Sequence, residues 1–345
     1  MKFARLAGAG RIDVADVPEP VAGPGEVVVR LAACGVCGTD LEKLRGNYQS
    51  AGKIGHEPVG TIDSLGAGVG TLSVGERVWV HHHVPCYACA VCQRGDFTFC
   101  PTYSQSNIDP GGFAEKFRVP ASHVERGAVQ RLDPAVPWDV GTLLEPAACG
   151  LTAIRRVGLH PGDSVFVVGL GPVGILYARL ARALGAGWVG GSDLSGRRRE
   201  AAQHGGVEHA VDARDPEEAV RRVEASTRTL GADLVVVATG APAAVALGTR
   251  LARRGGTLNL FGLPEAGSRL DVDLQQLYLR GTRVIPSYAT TERDIADVQR
   301  LLVARRVDFS DLVTHRFPVG EAAEAFATAA RPEDALKVVV TGPAY

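Results

Sequence analysis

The sequence predicts an α/β fold in which a doubly wound parallel sheet is combined with a β-rich module. Three observations carry this expectation. The glycine turn GLGPVG separates the apolar run Val165 to Val168 from a stretch of helical periodicity. Beyond Asp193, buried-strand patterns alternate with helical ones, which is the rhythm of a parallel sheet. From Met1 to about Val29, short strands are instead punctuated by Pro18, Pro20, Pro24 and Gly25, as in a β-rich module.

After that opening, VVVRLAACGVCGTD carries an apolar strand into Cys34 and Cys37, with Thr39 and Asp40 following at once. GKIGHEPVGTI then sets His56 and Glu57 at the mouth of another strand, where Gly55 admits a turn. Both groups lie at strand ends, where side chains can converge. His81-His82-His83 reads as a set of polar residues on the strand entering the next loop, since consecutive strand residues face opposite sides. GGFAEKFRVP (111–120) is a turn and a further strand. A helical segment runs from Trp138 through Leu143 and Leu144 to Glu145-Pro146. A carboxylate among apolar residues is costly unless paired or bound to a metal; an exposed glutamate near a helix start is the alternative reading of Glu145.

The stretch Ser164 to Asp193 spells strand, glycine turn, helix and second strand. Val173, Leu176, Leu180 and Leu184 recur at spacings of three and four and line one helix face, while Arg179 and Arg182 can point to water. Gly169, Gly171 and Gly174 allow a tight turn and close backbone approach, and Pro172 and Val173 open the helix. Its free N–H groups can therefore meet a pyrophosphate, and Asp193 can accept hydrogen bonds from an adenosine ribose. A carboxylate there repels a 2′-phosphate, which favours NAD over NADP, although Arg197 and Arg198 follow closely and can bind a phosphate. Further strands are expected at 231–240, 255–262 and 282–288, and helices at Ala241 to Ala252 and Asp294 to Arg305. THRFPVGEAAEAFATA and ALKVVV supply another helix and a last strand.

The 345 residues carry a net charge of −1 and no basic block, which argues against nucleic acid or an anionic membrane as partner. The longest uncharged apolar stretch, Ser164 to Ala178, falls short of the roughly 20 residues a membrane span needs. The first residues lack a signal-peptide core, so the cytoplasm is the default location. Of the 7 cysteines, Cys86, Cys89, Cys92 and Cys100 form a C-x2-C-x2-C-x7-C quartet within residues 86–100. Four thiolates this close can surround one zinc tetrahedrally; an iron–sulfur cluster is the competing ligand. A closed four-sulfur site leaves no position for substrate, so its role is to pin a loop too poor in apolar residues to pack itself.

Taken together, these residues resemble the zinc-containing medium-chain alcohol dehydrogenase family over essentially the whole chain. CGVCGTD (34–40), GHE (55–57), the quartet, EP (145 and 146), GLGPVG and ALKVVV stand in family order and spacing. The glutamate in the third catalytic position is similar to the sorbitol, sugar and threonine dehydrogenase branches. The resemblance implies a GroES-like catalytic domain at 1–150, a Rossmann domain at 151–287 and a segment at 288–345 returning to the catalytic domain. It also implies association through the Rossmann sheets into homodimers or homotetramers. Position by position, it implies that Cys37, His56 and Glu145 hold a catalytic zinc, with Glu57 as a nearby or exchanging ligand, making two zincs per subunit with the quartet. The implied chemistry is polarisation of a substrate hydroxyl by zinc, proton removal assisted by Thr39, and hydride transfer from the alcohol to NAD.

Cys149 falls one residue out of register with the cysteine of yeast-type relatives and is read as a small buried residue, Cys34 as packing. Glu42 stands where many relatives carry the histidine that finishes the proton relay, as in some sugar dehydrogenases. Ser287-Tyr288 replaces the arginine-tyrosine pair of sorbitol-type enzymes, which leaves a secondary alcohol within a sugar, polyol or cyclitol as the expected substrate. Tyr48, Phe113 and Tyr288 are the candidate pocket residues. The rival readings are a threonine-type amino alcohol dehydrogenase, a zinc-free reductase, which the cysteines oppose, and a catalytically silent NAD-binding or structural protein.

Overall fold

Val165 to Val168 lie at the centre of a six-stranded sheet. A computed structural model describes the chain except for residues 9, 48–52, 106, 265 and 270–272. It divides into two compact units, Met1–Ala148 with Ala289–Tyr345, and Cys149–Tyr288. The expected boundaries fell between 150 and 151 and between 287 and 288.

In the second unit the strand order is His209–Asp212, Trp188–Asp193, Ser164–Val168, Ala232–Val237, Ala252–Leu260 and Arg283–Pro286, all parallel. Ser164–Val168 thus pairs with Trp188–Asp193 on one side and Ala232–Val237 on the other. This is the switch point at which an open parallel sheet presents a crevice beyond its strand ends. All five of its residues are buried, which explains an apolar run without alternation. Phe166, Val168, Val235, Val237, Leu251 and Leu258 belong to one core on the sheet. The observed strands and the helix Pro242–Leu251 fall within a few residues of their expected limits.

In the first unit the sheet has seven strands among the described residues. Val313–Pro318, Lys337–Thr341, Val27–Gly35, Pro58–Leu65, Arg77–Val80 and Val129–Arg131 lie in that order, and Lys116–Val119 pairs with Val27–Gly35. The last strand runs antiparallel to Val27–Gly35, with Val339 opposite Gly35, so the two ends of the sequence meet in one sheet. Val27, Val29, Leu31, Ile62, Val78, Phe117 and Phe326 form its core.

One element departs from expectation. Residues from Trp138 do not form a single helix ending at Glu145-Pro146. A short helix, Trp138–Gly141, is followed by a new one, Leu144–Val157. Pro146 stands in the first turn of the second helix, where its missing N–H would have had no intrahelical partner. The proline therefore marks a helix start. No helix among the described residues is long and apolar enough to cross a membrane.

Candidate metal and cofactor sites

The four cysteines of residues 86–100 converge. Sγ to Sγ separations are 3.5 Å for Cys86–Cys100, 3.8 Å for Cys89–Cys100 and 3.9 Å for Cys86–Cys92. A tetrahedron of Zn–S bonds of about 2.3 Å has edges of about 3.8 Å, so the residues fit one zinc. The backbone N–H groups of Ala88 and Cys89 donate to Cys86 Sγ at 3.4 and 3.3 Å, and that of Cys86 donates to Cys100 Sγ at 3.3 Å. Against the opposing effect of burial, such bonds hold the Cys100 thiol below its usual range. Tyr103, fully buried, packs on this lobe, and its hydroxyl donates to the Thr290 carbonyl at 2.6 Å.

A second centre is assembled from strand ends. Cys37 follows the strand Val27–Gly35 and precedes the helix Gly38–Arg45; His56 and Glu57 immediately precede the strand Pro58–Leu65. One ligand atom from each of Cys37, His56 and Glu57 lies within 4.8 Å of the others. Asp40, with no exposed surface, fixes the arrangement. Its carboxylate accepts from the backbone N–H of Cys37 at 3.2 Å and of Gly55 at 3.2 Å, and it pairs with His56 Nδ1 at 3.4 Å. Nδ1 is thereby engaged, which leaves Nε2 for a cation. Burial opposes charge on His56, but Asp40 and Cys37 outweigh it and hold the imidazole pKa well above its ordinary value. Gly55 has φ +80°, and a Cβ there would stand 2.7 Å from the Phe113 amide nitrogen, so this turn requires glycine.

Glu57 forms an ion pair with Lys337, and both side chains are almost fully buried. Burial works against charge on Lys337; Glu57, Cys37 and, further down, Glu145 outweigh it and raise its pKa. The pair lies over Gly35, where a Cβ would stand 1.9 Å from Glu57 Oε2. Glu57 Oε1 is buried without a hydrogen-bond partner among the described residues. An orphaned carboxylate oxygen beside a thiol and an imidazole suits a zinc ion, so these residues fit that group.

Glu145, in the first turn of Leu144–Val157, is buried and has a ligand atom within 4.8 Å of those of His81 and His82. The reading of the three histidines as strand polarity does not hold for this pair. The strand ends at Val80, so alternation stops and both rings enter one cluster. The only sequence signal for Lys337 is a lysine inside the otherwise apolar ALKVVV. Thr39 is partly buried in the first turn of Gly38–Arg45, and Glu42 bonds Arg45 and Asn47. Phe113, expected in the pocket, is fully buried with its ring 5.4 Å from that of Phe326, which makes it a core residue. Tyr288 is 40% exposed, and Tyr48 lies outside the described residues. Cys34 is fully buried in the sheet core, and Cys149 is partly buried.

In the parallel-sheet unit, Gly169 takes φ +99° and Gly171 caps the helix Pro172–Ala183, with Pro172 at its first position and Val173 next. A Cβ on Gly174 would stand 2.0 Å from the Gly169 carbonyl oxygen, so helix and strand approach as closely as glycine permits. Asp193 closes the second strand. Its two oxygens accept from the backbone N–H of Leu170 and Ser195, each at 2.9 Å. Arg198 reaches within 4.0 Å of the same carboxylate, and its buried Nε has no hydrogen-bond partner among the described residues.

Comparison with known proteins agrees with this architecture. Residues 23–128 match the alcohol dehydrogenase GroES-like domain, and residues 172–304 match the zinc-binding dehydrogenase domain. Sorbitol dehydrogenase of Gallus gallus is 32% identical, covering 95% of this chain and 92% of its own. L-threonine 3-dehydrogenase of Pyrococcus abyssi is 31% identical, covering 92% and 90%. Among solved structures, a zinc-binding dehydrogenase from Sinorhizobium meliloti bound to NADP superposes with a TM-score of 0.87 at 28% identity, covering 99% of this chain and 98% of that one. With both domain matches, relatives spanning nearly the full length and the convergent ligand sets in place, the chain belongs to the zinc-containing medium-chain alcohol dehydrogenase family and is a zinc-dependent alcohol or polyol oxidoreductase.

Proposed function

We propose that this enzyme oxidises a secondary alcohol of a polyol, sugar or cyclitol to a ketone with NAD as hydride acceptor. The observation that carries the reading is the convergence of Cys37, His56 and Glu57 in a buried, charge-balanced centre. Cys37, His56 and Glu145 would hold the catalytic zinc, with Glu57 as the exchanging carboxylate, and the cysteine quartet would hold a second. When bound, the catalytic zinc supplies Lewis acidity that lowers the pKa of a hydroxyl. The chain's own groups do the rest. Asp40 keeps the His56 ring oriented, and Lys337 balances the anionic ligands without occupying a ligand position. The Thr39 hydroxyl would take the substrate proton and pass it towards solvent, and a nicotinamide held at the glycine turn would supply the acceptor for the carbinol hydride. Glu42, already bonded to Arg45 and Asn47, stands at the sequence position where many relatives end that relay with a histidine.

The cofactor turn supports NAD, because Asp193 is buried at the end of the second strand, where a carboxylate would repel a 2′-phosphate. Arg198 beside it is the feature that would admit NADP. The enzyme would work in the cytoplasm as a homodimer or homotetramer. A threonine-type substrate is the second reading, supported by the Pyrococcus abyssi relative. The deciding experiment is NADH and NADPH formation by zinc-replete enzyme against polyols, aldoses, cyclitols, threonine and simple alcohols. Turnover of a polyol or cyclitol with NAD, lost in Glu145→Ala, is the expected result. Turnover of threonine alone overturns the substrate reading, and a preference for NADP overturns the cofactor reading.

A further inference from the structure

Beside the Cys37–His56–Glu57 set lies a histidine-rich cluster that the reaction as described does not use. The His82 ring centroid is 5.1 Å from that of His56, 5.3 Å from that of His81 and 4.0 Å from that of His83. His81 has no exposed surface, and neither of its ring nitrogens has a hydrogen-bond partner among the described residues; the same holds for the buried Nδ1 of His82. Their backbones are nonetheless fixed. The His81 N–H donates to the Ala128 carbonyl at 2.8 Å, and the His82 carbonyl stands 3.0 Å from His123 Nε2. Backbone tethers thus hold two imidazoles of which both His81 nitrogens and His82 Nδ1 are removed from water without compensation, an arrangement that buried polar groups do not ordinarily adopt.

The missing partner is readily identified by chemistry. One nitrogen from each ring and one oxygen of Glu145 lie within 4.8 Å of one another. Burial first, and then neighbouring histidines, keep both rings neutral, the form in which imidazole donates a lone pair. Two neutral imidazoles and a carboxylate form a nitrogen–oxygen set that open zinc sites use. We propose that His81, His82 and Glu145 form a cation position of their own, taking a zinc-class divalent ion without need of Cys37. Glu145 has two oxygens and, on the reading proposed above, also serves the catalytic set, so an ion can rest at either position or be handed between them.

The test counts metal and does not read turnover, so its failure leaves the dehydrogenase reading standing. The variant Cys37→Ser/His56→Asn removes the thiolate and imidazole of the first set. After equilibration with zinc and desalting, native mass spectrometry should find two zincs per chain, one in the four-cysteine lobe and one here. Adding His81→Asn and His82→Asn should leave one, and the lobe's zinc then certifies that the catalytic unit is folded. His82→Asn alone in the same background should weaken zinc retention against a chelator at least tenfold. One zinc in the Cys37→Ser/His56→Asn variant overturns the proposal, and so does a second zinc that survives loss of both histidines.

Discussion

Two of the candidate metal-ligand sets in the first unit are built on opposite plans. The four-cysteine lobe takes every ligand from residues 86–100, uses one donor type and stabilises its sulfurs with its own backbone N–H groups. The other centre gathers Cys37, His56 and Glu57 from the ends of two separate strands, mixes sulfur, nitrogen and oxygen, and depends on Asp40 and Lys337 for orientation and charge. A closed set needs only a short loop. An open one, which must leave room for substrate, needs a folded sheet to hold it, because no single stretch of chain can present its ligands and still keep one direction free.

That contrast can be broken or sharpened by experiment. The largest effect is expected from Cys92→Ser, which removes a buried thiol of the proposed zinc set. Structural zinc sites contribute folding energy on the order of 10 kcal/mol, so the lobe should unfold, with loss of one zinc and a large fall in melting temperature. Survival of the lobe at an unchanged melting temperature would show that packing around Tyr103 suffices.

Next comes Lys337→Met. Leaving Glu57 buried without its counter-charge should cost about 3–5 kcal/mol in urea unfolding of the zinc-free protein. Glu57→Gln in the same background should recover part of that loss, since it removes the orphaned charge. Equal stability of all three proteins would mean that water reaches the pair.

Asp40→Asn should leave the fold intact and lower catalytic zinc affinity or kcat/KM by about 10- to 100-fold, as loss of a group that orients a ligand does. The four-cysteine zinc should remain in place, which distinguishes the two sites within one variant. The smallest effect is that of pH. In the zinc-free centre Asp40 and Cys37 favour protonated His56, so a proton competes with zinc for the ring. Affinity should therefore fall as pH drops below the raised His56 pKa, by up to about tenfold per pH unit for one proton. Dialysis at stepwise lower pH with metal analysis should show the open centre responding in this way, and a pH-independent affinity would mean that His56 is not a ligand.

The same contrast sets what the sequence makes legible. The quartet is a local pattern, so its spacing alone announces a single-ion site. The glycine turn at 169–174 is equally local, and Gly174 shows why its motif is strict: a Cβ there would collide with the Gly169 carbonyl. Lys337 and the His81–His82 pair were not legible. The first reaches Glu57 through antiparallel pairing of sequence ends, and the second depends on a strand stopping at Val80 and not a residue later. Phe113 was misplaced for a related reason. An aromatic beside a glycine turn looks like a pocket residue until the sheet closes over it.

Gly35 has a consequence in time as well as in space. Its missing side chain leaves a seat for an ammonium group that arrives only with the closing strand, Lys337–Thr341. During synthesis Glu57 is therefore made long before its counterion. A polypeptide that stops before Lys337 would carry Cys37, His56 and Glu57 and still lack the charge that offsets the buried carboxylate.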